Sequence, residues 1–206
     1  MKDIVIYGAG GLGKEIACLI ENINQDTPQW NLLGFIDDNS SKETWFGLPV
    51  LGNKDFLKKN QSINVAVAVG NPLIKKLIVS NISGSKFPIL VHPQSQLMSA
   101  NIKLGKGTIL TAGTMLTCDI ELGQFVLVNL NTTIGHDTKV GDYASIMCGV
   151  NIAGGVNIEQ CSFLGSGASI LNQVYIGKNV KIGAGAVVIS SVDDNKTAVG
   201  VPAEAK

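Results

Sequence analysis

Only two histidines occur among the 206 residues, and imidazole is the side chain whose ordinary pKa lets it exchange a proton near neutral pH. His92 stands just before Pro93, whereas His136 lies in Ile134-Gly135-His136-Asp137. A carboxylate bonded to one ring nitrogen fixes the tautomer and stabilises the protonated ring, so His136 and Asp137 form a candidate general base with its orienting acid. By themselves the same two residues serve equally well as a solvated corner. Thiol chemistry is the rival, with Cys118 and Cys148 on either side of His136; a nucleophilic thiol needs a nearby base and a depressed pKa. Gly154-Gly155 offers backbone N–H groups of the kind that stabilise a developing oxyanion, and reads equally as a turn.

A second constellation lies near the amino terminus. Gly8-Ala9-Gly10-Gly11-Leu12-Gly13 follows a strand pattern and opens a helix pattern, the context in which backbone N–H groups hold a diphosphate. Asp37 and Asp38 end the next strand pattern, near where an acid meets the ribose in nicotinamide enzymes, so hydride chemistry is one reading of these residues. Gly70-Asn71 follows a third buried strand, at the carboxyl edge where open α/β sheets bind ligands, or else is a simple turn before Pro72.

The elements that must position these residues fall into two groups. Up to about Ser95, short apolar runs alternate with helical patterns, as in a parallel sheet built of βαβ units. Strands are predicted at Ile4–Tyr7, Leu32–Ile36, Val65–Val69 and Ile89–Val91, with helices over Lys14–Asn22, Lys54–Lys59 and from Pro72. From Ile102 the period becomes six: fifteen successive sixth positions, from Leu104 through Ile134 to Val188, are all aliphatic. With roughly three residues in ten being Leu, Ile or Val, chance yields such a run on the order of once in a hundred million trials. A helix needs a period of 3.6 and a plain strand needs two, so six implies a short strand plus a corner. Three such units close a triangular coil of about 18 residues, and roughly five coils follow. Small or β-branched residues two positions earlier, such as Thr114 and Ala168, fit the corners; glycines just after the aliphatic position, such as Gly135, are expected to supply positive φ or a tight turn.

Composition narrows the classes. Lys+Arg and Asp+Glu both number 16, which leaves no basic stripe for a phosphate backbone, so nucleic acid is not an expected partner. Cys18, Cys118, Cys148 and Cys161 form no CxxC pair, so no metal site or disulfide framework is expected and the thiols read as cytoplasmic. Asp3 stands where a signal peptide would be apolar, and no apolar run reaches the ~18 residues of a membrane span.

Taken together, the hexads of the form Val174-Tyr175-Ile176-Gly177, the Gly8–Gly13 turn, Asp37-Asp38, Val69-Gly70-Asn71, Val91-His92-Pro93, Asn129 with His136-Asp137, and the closing Val199-Gly200-Val201-Pro202-Ala203 carry a resemblance. The chain resembles the bacterial hexapeptide-repeat acetyltransferases that N-acetylate UDP-linked 4-amino sugars, and their sialic acid O-acetyltransferase relatives. The resemblance implies a Rossmann-like nucleotide-sugar-binding domain over residues 1–95 and a left-handed parallel β-helix over 96–206. It further implies a homotrimer with acetyl-CoA in the cleft between subunits, and direct attack of the acceptor within a ternary complex.

Carried over by position, His136 becomes the base, Asp137 the acid that raises its basicity, and Asn129 a residue that positions base or acceptor. Acetyl-CoA would meet Ser145, where the family has a second histidine, and the largely backbone contacts Gly154, Ser166 and Ala184. Gly10, Gly11, Leu12, Asp37, Asp38, Gly70 and Asn71 would hold the nucleotide-sugar acceptor. N-acetylation in surface-glycan biosynthesis is the first expectation. O-acetylation of sialic acid or a related sugar, and a non-catalytic β-helix scaffold, are the alternatives.

Overall fold

The computed structural model describes residues 1–82 and 84–206. Its first part is a three-stranded parallel sheet in the order β2-β1-β5, with β1 (Lys2–Tyr7) between β2 (Trp30–Ile36) and β5 (Asn64–Val67). Helix α1 (Gly11–Asp26) buries Ile16, Ala17, Leu19, Ile20 and Ile23 against one side of this sheet, the apolar stripe of an amphipathic helix. It runs further at both ends than the predicted Lys14–Asn22. A small hairpin of β3 (Thr44–Trp45) and β4 (Leu48–Pro49), absent from the sequence-based expectation, follows β2. Helices α2 (Asp55–Lys59) and α3 (Pro72–Asn81) complete the unit.

Beyond it the chain winds into a triangular solenoid of about six turns, whose three faces are parallel sheets of two-residue rungs. The first face carries Ile109–Leu110, Leu127–Val128, Ser145–Ile146, Phe163–Leu164 and Lys181–Ile182. The second carries Met115–Leu116, Thr133–Ile134, Asn151–Ile152, Ser169–Ile170 and Val187–Val188, and the third Lys103–Leu104, Glu121–Leu122, Lys139–Val140, Asn157–Ile158 and Tyr175–Ile176. From Lys103 to Val188 partners along a face are 18 residues apart, as at Thr133↔Asn151, so the second residue of each rung stacks in the axis. That axis is one continuous aliphatic core from Leu110 to Ala198.

Two expectations need correction. Ile89–Val91 does not close the Rossmann-like sheet: Leu90–Val91 pairs with Ile109–Leu110 and is the first rung of the solenoid, and Gln96–Leu97 pairs with Met115–Leu116 as the second. The coil therefore starts earlier than the hexad count from Ile102 implies.

The glycines after the aliphatic positions do not supply positive φ either. They are needed because the next coil passes too close: a Cβ on Gly135 would lie 2.7 Å from the Ala153 carbonyl carbon and the Gly154 nitrogen. Positive φ falls two residues later, at Asp119, Phe125, Asn131, Asp137, Tyr143, Cys161, Gln173 and Asn179, and at Gly107, Gly149 and Gly155. Asp and Asn tolerate that left-handed conformation well. Phe125 and Tyr143 are held there by stacking, with ring centroids 5.3 Å apart and planes 2° from parallel.

The two parts share a core. Ile109 and Leu127, pointing outward from the first face, pack with Ile16, Ile20 and Leu90 under the sheet. His92 ties this joint. Its Nδ1 accepts from the Gln94 N–H at 3.0 Å, and its Nε2 lies 3.0 Å from the Asn22 side-chain nitrogen. Burial lowers the pKa of this ring.

Candidate active site

The corner after each second-face rung stacks Cys118, His136 and Gly154 in consecutive coils, bonded by Asp137 N–H to the Cys118 carbonyl at 3.2 Å and Gly155 N–H to the His136 carbonyl at 2.7 Å. His136 projects from this edge with 64% of its side chain exposed, so of the two histidines it alone can meet a substrate. Its Nδ1 lies 2.7 Å from Asp137 Oδ2. With Nδ1–H donating to that carboxylate, Nε2 carries the free lone pair.

Asp137 reaches the ring because its φ is +59°, which turns the side chain back along the edge. Above them Gly154 leaves the ring its place: a Cβ there would run into His136 Nε2, Cε1 and Cδ2 and displace it. The Gly154 N–H has no hydrogen-bond partner among the described residues. The corner N–H groups of Cys118 and His136 on the same edge are likewise without one, whereas on another edge Gln124 is capped by Asp142 Oδ1 at 2.8 Å and Lys178 by Asp194 Oδ1 at 2.8 Å. Neither Cys118 nor Cys148, both half-buried, makes a hydrogen bond to the imidazole.

The remaining coil candidates sit elsewhere. Asn129, Ser166 and Ala184 lie on the edge between the first and second faces, one prism face away from His136. Asn129 is buried, its Oδ1 accepting from the Leu130 N–H at 2.8 Å and the Thr111 hydroxyl at 3.3 Å. Ser166 and Ala184 are exposed one coil apart, joined by Gly185 N–H to the Ser166 carbonyl at 2.9 Å. Ser145 departs from its expected place against the coenzyme. It points outward from the first face, fully buried beneath α3, and its Oγ accepts from Lys75 Nζ at 2.9 Å. The Rossmann-like unit covers that position.

At the carboxyl edge of the small sheet the glycine turn divides by function. Gly8 has φ +119° and a Cβ would stand 2.7 Å from the Ala68 carbonyl, while a Cβ on Gly13 would strike the Gly8 carbonyl, so both serve the fold. Gly10 and Gly11 need no positive φ and have nothing within 4 Å of where a Cβ would stand. Open space lies over their backbone. Helix α1 begins there with no side-chain cap and no acid in its first turn, which leaves its N-terminal field uncompensated.

Asp37 and Asp38 are already engaged: Asp37 accepts from Ala9 N–H and Asn39 N–H, both at 2.8 Å, and Asp38 from Tyr7 OH at 2.8 Å and Lys54 N–H at 3.0 Å. Burial and the Asp38 bond push the Tyr7 hydroxyl well above its ordinary pKa. The acids thus hold the loop. Gly70 lies beside the same turn, and Asn71 caps α3 by accepting from Leu73 N–H at 3.0 Å and Ile74 N–H at 3.1 Å.

Three residues that the sequence does not single out complete this mouth. Trp45 Nε1 donates to the Gly10 carbonyl at 3.2 Å, and the ammonium groups of Lys14 and Lys42 stand 4.3 and 3.2 Å from the indole centroid. Neither lysine has a carboxylate partner within salt-bridge distance among the described residues. No single element holds all three, which is why spacing hid them.

Residues 3–82 match the family model of the PglD N-terminal domain, and residues 155–190 match that of the bacterial transferase hexapeptide (six repeats). Among solved structures, WeeI from Acinetobacter baumannii AYE is 31% identical with a TM-score of 0.91, all of each chain being covered. The acetyltransferase domain of PglB from Neisseria gonorrhoeae FA1090, in complex with acetyl coenzyme A, is 29% identical with a TM-score of 0.91, over 100% of this chain and 99% of its own. The chain belongs to the hexapeptide-repeat sugar acetyltransferases.

The acetyltransferase is also similar to a histidine-to-asparagine variant of perosamine N-acetyltransferase from Caulobacter crescentus in complex with CoA and GDP-perosamine. Identity there is 25% and the TM-score 0.91, over 100% of this chain and 97% of that one. No curated protein matches the acetyltransferase. None of its helices, among the described residues, is long and apolar enough to cross a membrane. Nor do its described residues contain a group of three or more His, Cys, Asp or Glu side chains able to hold a metal ion.

Proposed function

We propose that the protein moves the acetyl group of acetyl-CoA onto the amino group of a nucleotide-linked amino sugar, with His136 as general base, in cytoplasmic surface-glycan biosynthesis. The observation that carries this reading is the His136 ring: exposed, tied through Nδ1 to Asp137, and set over a bare glycine on a coil edge. Support for the substrate class comes from the relative whose structure holds both CoA and GDP-perosamine.

Acetyl-CoA supplies the acyl group as a thioester and departs as the thiol. The acceptor nitrogen forms a bond to the acyl carbon while His136 Nε2 removes its proton, and Asp137 stabilises the imidazolium. Negative charge gathers on the acyl oxygen, for which the unpartnered Gly154 N–H is a donor. When the carbon–sulfur bond breaks, the imidazolium returns the proton to sulfur. The free thiols have no part in this direct route.

On one protomer His136, Asp137 and Gly154 share an edge while Asn129, Ser166 and Ala184 occupy another. A donor touching both sets bridges two copies, in keeping with a homotrimer and a cleft between neighbours. The acceptor's diphosphate lies over Gly10, Gly11 and Leu12, neutralised by Lys14 and Lys42. Asp37, Asp38, Gly70 and Asn71 frame that site. Thiol release from acetyl-CoA, measured across UDP-, GDP- and dTDP-linked amino sugars and free sialic acid, tests this. Turnover with a nucleotide-linked amine supports it, and turnover with free sialic acid alone rejects it.

A further inference from the structure

The least expected side chain in the molecule is Lys75. It is 2% exposed on α3, in the joint between the nucleotide-side unit and the solenoid. Its Nζ donates to Ser145 Oγ at 2.9 Å and to the Ala144 carbonyl at 3.2 Å, both on the first face of the coil. No carboxylate approaches it; the titratable group beside it is the buried Cys161 thiol, from the next coil. An unpaired buried ammonium is costly, and an apolar side chain of similar volume would be more stable in such a joint. A directional pair of hydrogen bonds does what an apolar contact does not: it fixes the register of a helix on a face instead of letting it slide.

We propose that Lys75 is a positioning residue that pins the amino-terminal end of α3 in register on the solenoid, and so sets where the acceptor lies relative to the catalytic coil. Lys75 is one helical turn from Asn71, and the pinned end of α3 walls a cavity of about 270 Å³. Asn71, Pro72 and Leu73 line one side of it and Cys161, Phe163 and Lys181 the other. Sliding of α3 changes the width of this cavity and moves Gly70-Asn71 against the coil. The placement of the acceptor rests on the function proposed above; the pinning of α3 does not.

The test uses the double variant K75M/S145A in the full chain, which removes the ammonium without orphaning the Ser145 hydroxyl. Three quantities are read: melting temperature, N-ethylmaleimide labelling of Cys161 resolved by mass spectrometry, and the KM values of both substrates. The expected result is Cys161 labelling faster by about tenfold or more, because α3 opens locally, with a melting temperature no lower than wild type. Acceptor KM rises about tenfold while acetyl-CoA KM is unchanged. Unchanged Cys161 labelling overturns the pinning, whatever the acceptor is. A lower melting temperature with both KM values unchanged shows an ordinary structural contact and overturns the positioning role. Failure of the acetyl-transfer reading shows separately, as wild-type protein that releases no thiol, and leaves the labelling result decisive.

Discussion

The imidazole of His136 lies against the backbone of Gly154, one coil further along the same edge, at a distance that leaves no room for a Cβ. G154A must therefore push the ring from its place. Misplacing a catalytic group by about 1 Å costs on the order of 10²-fold in rate, so kcat is expected to fall by about that factor with little change in melting temperature. G155A is the control. Gly155 has φ +69° and its nearest outside atom, Gln173 Cγ, is 3.4 Å from a Cβ, so that variant loses about 1 kcal/mol of stability to backbone strain and keeps its rate. Steady-state kinetics with thermal melts distinguish the two.

Asp137 acts on the ring that Gly154 accommodates. D137N keeps the size and a polar contact to Nδ1 but removes the charge that stabilises the imidazolium. A fall in kcat of about 10- to 10²-fold with unchanged KM for acetyl-CoA is expected. An unchanged kcat would mark Asp137 as a corner residue only.

The lysines at the glycine turn predict a binding signature. Trp45 is half-buried beside Gly10, whereas the other tryptophan, Trp30, is buried in β2. Titration with UDP or GDP should change the fluorescence of Trp45, and W45F should abolish the change. K14A/K42A should weaken nucleoside diphosphate binding by about 10-fold or more and flatten its salt dependence, because exposed charges act through a screened field. Equal affinity in wild type and double variant would remove the lysines from the site.

Burial lowers the Lys75 pKa from 10.5 to about 7. Between about 7 and 10.5 the unfolded chain holds the proton that the folded chain has released, so this group makes stability rise with pH through that window. Below about 7 both states are protonated and the penalty of the buried charge is complete. Wild-type melting temperature, compared with that of K75M across pH 6.5 to 9, should therefore gain on the variant as pH rises. A constant difference would show that the lysine does not titrate in this window.

Much of this was legible in the sequence for a physical reason. A stack of parallel rungs repeats one steric problem, so the aliphatic sixth positions from Leu104 to Val188 announce the prism without any long-range information. The start was hidden because spacing slips: Val91 to Leu97 is six residues, but Leu97 to Leu104 is seven. That single extra residue breaks the pattern while the rungs at Leu90–Val91 and Gln96–Leu97 still pair. His136 with Asp137 was legible because the two are adjacent in the chain. The bond from Lys75 to Ser145 spans 70 residues and joins two folding units, and the meeting of Lys14, Lys42 and Trp45 depends on a hairpin too short for any periodicity. Asp37 and Asp38 look like ribose ligands by position, yet their hydrogen bonds show them bracing the turn.

Turnover of H136A with the best nucleotide-linked amino sugar is the most direct measurement. Removing the base should lower kcat by about 10²- to 10⁴-fold while KM for acetyl-CoA and the melting temperature stay near wild type. A variant that acetylates the sugar at the wild-type rate would contradict the assignment of His136 as the group that takes the proton.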